Sequence, residues 1–89
     1  MVKEWLTRRV TVDEAERANL VTSDRLGPDP VPFGFHNAEW RALLAMRRDG
    51  DEIWEFRSPP DTWKHLFGRG GVALVRAGRI AYCIITIMN

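Results

Sequence analysis

The residue types in this 89-residue chain with the widest chemical use are two histidines, His36 and His65, and one cysteine, Cys83. Their spacing supports neither metal binding nor nucleophilic catalysis. Zinc sites bring ligands together in close pairs, and no such pair occurs here. Cys83 lies inside the apolar run Tyr82-Cys83-Ile84-Ile85, the setting of an unreactive thiol. Asp49, Asp51, Glu52 and Glu55 offer the carboxylates of acid–base catalysis. Asp and Gly favour turns, however, so Asp49-Gly50-Asp51 reads first as a helix exit and strand entry. Gly68-Arg69-Gly70-Gly71 joins glycines to a cation but precedes a strand, whereas a phosphate loop follows a strand and opens a helix. The pattern points to no catalytic residue, no metal and no cofactor.

Two binding arrangements keep chemical content. In the first, Trp54 and Trp63 line a small-ligand pocket with His36, His65 and Arg57 at its mouth, in a binding protein or minor enzyme. Against it, Trp40 and Trp54 fall on apolar faces, where core packing is the default. In the second, Arg69, Arg76 and Arg79 meet an anionic partner such as nucleic acid. Arg76 and Arg79 flank Ala77-Gly78 and face each other as a like-charge pair that an anion would relieve. A net charge of +1, with residues 27–56 acidic and residues 57–89 basic, argues against nucleic acid. Charge segregated in this way also lets two copies meet acidic end to basic end.

The elements that position these residues follow from local pattern. Thr11-Val12-Asp13-Glu14 is a capping box opening a helix to about Val21, preceded by a short strand or arm from Val2 to Leu6. Residues 22–35 form a loop, because proline alternates through Pro28, Pro30 and Pro32; Phe33 and Phe35 anchor it. Asn37 caps a helix over residues 38–48 with Trp40, Leu43 and Leu44 on its buried face. Strands are expected at 52–57, 71–76 and 79–88, with a short helix holding Trp63, Leu66 and Phe67 between the first two. The fold class is α+β: one domain over residues 1–89, with a three- or four-stranded antiparallel sheet and helices mainly on one face.

The last strand carries apolar residues on both of its faces, so something must cover each. If helices shield the side of Ile85 and Ile87, then Ile80, Tyr82, Ile84 and Met88 form a patch that a second copy would bury around a two-fold axis. The competing cover is the N-terminal segment, through Val2, Trp5 and Leu6. The run Gly50-Asp51-Glu52-Ile53-Trp54-Glu55-Phe56-Arg57-Ser58-Pro59-Pro60, continued by Trp63 and Gly68-Arg69-Gly70-Gly71, resembles small uncharacterised bacterial proteins of about this length. That resemblance covers the C-terminal half and implies no activity. Eleven arginines against two lysines fit a GC-rich bacterial source. With one cysteine, no charged-then-apolar leader and no apolar run of membrane-spanning length, a cytoplasmic protein is expected. The reading that results is a non-enzymatic protein-binding or assembly module acting as a homodimer.

Overall fold

The computed structural model describes residues 3–89; Val2 lies outside them. In chain order the elements are β1 (Leu6–Val10), α1 (Val12–Ala18), β2 (Leu20–Val21), β3 (Val31–Pro32), α2 (Asn37–Met46), β4 (Glu52–Arg57), α3 (Pro60–Lys64), β5 (Arg69–Arg76) and β6 (Arg79–Met88). The main sheet has four strands in the order β1-β4-β5-β6, each antiparallel to its neighbour. The N-terminal segment supplies the fourth strand: Val10 pairs with Ile53 and Leu6 with Phe56. Principal extents of 37 × 36 × 17 Å match one sheet under one helical layer.

Local signals set the helices. Both bonds of the capping box form: the Glu14 amide donates to Thr11 Oγ1 at 3.0 Å, and the Thr11 amide donates to Glu14 Oε1 at 2.9 Å. The first helix ends at Ala18, not near Val21. The Asn19 side chain donates to the Ala15 carbonyl, and Leu20 and Val21 leave the helix to pair with Pro32 and Val31. That small ladder closes the proline loop. Phe33, at φ 62°, stacks on Trp40 with ring centroids 4.4 Å apart, whereas Phe35 is exposed and anchors nothing. Asn37 does not cap the second helix; its side-chain Nδ2 donates to the Pro32 carbonyl, and a 3-10 turn over Gly34–His36 leads into α2.

Ala15, Phe33, Trp40 and Leu43 press onto Val10, Ile53, Val72, Leu74 and Ile84 to form the core. Leu43 is fully buried, so truncating it would cost about 2–5 kcal/mol. Asp51 closes the exit from α2 as the sequence implies: its carboxylate accepts from the Arg48 amide at 2.8 Å.

The faces of β6 differ from strict alternation. Tyr82, Cys83, Ile84 and Ile85 pair regularly with Leu74, Ala73, Val72 and Gly71, but the ladder skips Ala81 and Thr86. An extra residue on one strand reverses the side-chain phase beyond it. Tyr82 and Ile84 therefore join the core beneath the helices. Ile80 and Met88, paired with Val75 and Arg69, face the opposite side. The four-residue patch expected from alternation does not exist: Ile84 is 0% exposed within one chain.

The face away from the helices has its own cover. A 3-10 turn over Lys3–Trp5 crosses it, with Trp5 beside Phe56, Cys83 and Ile85 around a cavity of about 280 Å³. The Lys3 ammonium reaches the Ala77-Gly78 turn, within 3.5 Å of where a Cβ on Gly78 would stand. This arm explains why Phe56, Ala73 and Val75 are buried on a face without helices. The N-terminal segment thus covers the face away from the helices through Trp5, but against Cys83 and Ile85 and not against the Ile80, Tyr82, Ile84 and Met88 set expected from the sequence.

Candidate functional site

The five residues expected around a pocket do not converge. Arg57 and Trp63 meet: the guanidinium sits 4.1 Å over the indole, beside a shallow depression of about 520 Å³ that Pro59, Pro60 and Lys64 also line. The indole is already engaged, because its Nε1 donates to the Ser58 carbonyl and Gly68 packs so tightly on its ring that a Cβ there would stand 2.2 Å from it. His65 lies at the end of α3, exposed, with Nδ1 3.0 Å from the Asp61 carbonyl. His36 sits across the helical layer, 2.9 Å from Glu39, in a separate depression with Leu20, Val21 and Ile87. Trp54 is on the opposite face of the sheet, its Nε1 donating to Glu52. Among the described residues, no cluster of three His, Cys, Asp or Glu side chains is placed to hold a metal.

The arginines separate as well. Arg76 and Arg79 do pair across the hairpin, but an internal anion already relieves them: Arg76 donates to both oxygens of Asp51, at 3.0 and 2.7 Å, and to the Met46 carbonyl. Arg69 stands at the far end of β5 and donates to the Gly68 carbonyl. The Asp51 side chain is only 2% exposed. Hydrogen bonds from Arg76 and then from the Arg48 amide hold its carboxyl at about 2, below the free value of 3.8. A folded value below the unfolded one means that the contribution is complete above about pH 4 and lost as pH falls from 4 toward 2. Chemical denaturation of the native chain is expected to weaken across that window, and Asp51→Asn to flatten the dependence there. Equal slopes for the two proteins would show that Asp51 is not the titrating group.

Another feature stands out at the edge of the sheet. Because β1 occupies the far side of β4, β6 is left as an edge strand. It runs ten residues and carries one charge, Arg79, at its start. No backbone hydrogen bond joins its outer edge to any other described residue. The opposite edge is guarded: β1 has five residues, an irregular register, and Arg8 and Arg9 paired with Glu55 and Glu52. Natural sheets blunt their edges in that way; β6 has only its two register slips.

Exposed apolar side chains gather at the second half of β6. Ile85, Ile87 and Met88 belong to the strand. Leu20 and Val21 border it on the helical side, around the depression that Thr86 and Ile87 share. Leu66 and Phe67 stand at its end, where Asn89 bonds to Gly68 and Trp63. Seven of the nine large apolar residues exposed among those described therefore lie on the second half of β6, beside it or at its end; Phe35 and Met46 are the others. Comparison with protein-family models, curated proteins and solved structures found no match.

Of these seven, sequence reasoning singled out only Met88 as an interface residue. The signal for Ile85 and Ile87 was present in the uncharged run, but their exposure depends on which strand ends at the edge. Leu66 and Phe67 read as helix residues. The helix stops at Lys64 instead, and Leu66 takes a left-handed φ of 64° that turns both outward.

Proposed function

We propose that this chain is a non-enzymatic protein-binding or assembly module that acts as a homodimer, joined at the free edge of β6. The observation that carries this reading is the concentration of exposed apolar side chains around that edge. Patches of this kind mark interaction sites on small proteins. The pocket alternative has less behind it, since Arg57 already stands over the Trp63 ring and Gly68 packs against it. Nucleic acid is not favoured, because Arg69 and Arg76 stand at opposite ends of β5.

Sedimentation equilibrium at micromolar concentration tests the proposal. A mass of twice 10.3 kDa is expected for the native chain, with Ile85→Lys shifted to monomer while its circular dichroism is unchanged. A native mass near 10.3 kDa at tens of micromolar overturns it.

A further inference from the structure

We propose that the partner seats itself by strand pairing: β6 of one copy adds antiparallel to β6 of a second, making one eight-stranded sheet around a two-fold axis beside Cys83 and Ile84. This rests on the homodimer reading and specifies how its two copies meet. The strand offers its unbonded outer backbone groups along ten residues, and an exposed strand edge is a template for another strand. An antiparallel strand can pair with itself about its own midpoint, so a closed dimer forms and growth stops.

Charge placement selects that direction. Arg79 opens β6, and none of the ion pairs among the described residues involves it. In a parallel arrangement the two Arg79 side chains would be neighbours. In the antiparallel one they stand at opposite ends, roughly 25–30 Å apart by strand rise, each against the apolar end of the other strand.

The faces of the strand agree with the same axis. The helical side carries Arg79, Tyr82, Ile84 and Ile87, and the other carries Ile80, Cys83, Ile85 and Met88. An axis at Cys83 sets Ile87 opposite the partner's Arg79 and Cys83 opposite its own copy. An axis at Ile84 leaves each of those pairs one diagonal step apart. In either register Ile87 neighbours the partner's Arg79, and the two Cys83 thiols share a face within reach of a short linker. The guarded edge, β1, stays outside the joint, so the enlarged sheet ends in charged strands on both sides.

Two measurements decide the matter. Ile87 is 52% exposed and lies opposite Gly70, so a charge there leaves the core intact. Ile87→Glu should dimerise at least roughly tenfold more tightly than Ile87→Lys, because the glutamate meets the partner's Arg79 and the lysine opposes it. A short bis-maleimide should link native chains through Cys83, the only cysteine, into a covalent dimer. If the native chain is dimeric but the two Ile87 variants are equally weakened, or Cys83 does not cross-link, strand pairing is wrong and the homodimer stands on another geometry. A native chain that sediments as a monomer removes both proposals.

Discussion

Gly71→Ala is expected to destabilise the domain by about 3 kcal/mol or more, which lowers Tm by roughly 12–24 °C in a chain of this size. A Cβ on Gly71 would stand 1.9 Å from the Ile84 carbonyl oxygen, 3.0 Å from its carbon and 3.1 Å from the Thr86 amide nitrogen. All three are backbone atoms of the neighbouring strand, so no side chain can swing aside. The strand must move, and with it the register that places Ile84 in the core. No positive φ is involved at this position; the requirement is close approach where Thr86 bulges out of the ladder. Gly70 is the control. A Cβ there meets the Phe56 carbonyl at 3.4 Å and the Ile87 Cβ at 3.8 Å, ordinary contacts, so Gly70→Ala should melt within about 1 kcal/mol of the native chain. Thermal melts of the two variants compare them directly. If Gly71→Ala melts as the native protein does, the two strands are not in this register.

The same glycine shows where sequence reading stops. Features fixed by neighbouring residues were legible: the Thr11–Glu14 capping box, the Asp51 closure of α2, the buried face of Trp40 and Leu43, and the hairpin turn at Ala77-Gly78, both at positive φ. Features set by distant parts of the chain were not. Alternation places Ile80, Tyr82, Ile84 and Met88 together, and two extra residues in the ladder split them into two faces. Each slip depends on the partner strand, where Gly70-Gly71 lets β6 approach, and no periodicity within β6 reveals it. The candidate site depends on topology in the same way. Had β1 paired with β6 and not with β4, the free edge would have fallen on β4 and the exposed run would be covered. The stacking of Arg57 over Trp63, and the tight seat of that indole against Gly68, were not legible.

Ile84→Glu should abolish the fold at pH 7 whether or not the protein dimerises. The sequence alone makes Ile84 an interface residue, for which the substitution would yield a monomer or an unfolded chain. Its position in the structure selects the second outcome. Ile84 is 0% exposed and packed in the apolar cluster of Trp40, Leu43, Val72 and Leu74. Removing an ion of that size from water costs several kcal/mol even after the surroundings relax, and the lost aliphatic packing adds about 2–5 kcal/mol. Together these reach the whole stability of a small domain, about 5–15 kcal/mol. The adjacent residue gives the contrast: Ile85 points to the other side and is 39% exposed, so Ile85→Glu should keep the native fold. Amide proton dispersion in a two-dimensional NMR spectrum separates the cases, collapsed for Ile84→Glu and native-like for Ile85→Glu. A well-dispersed spectrum for Ile84→Glu would mean that this side chain faces solvent, and that the phase of β6 between Ala81 and Thr86 is the reverse of the one described.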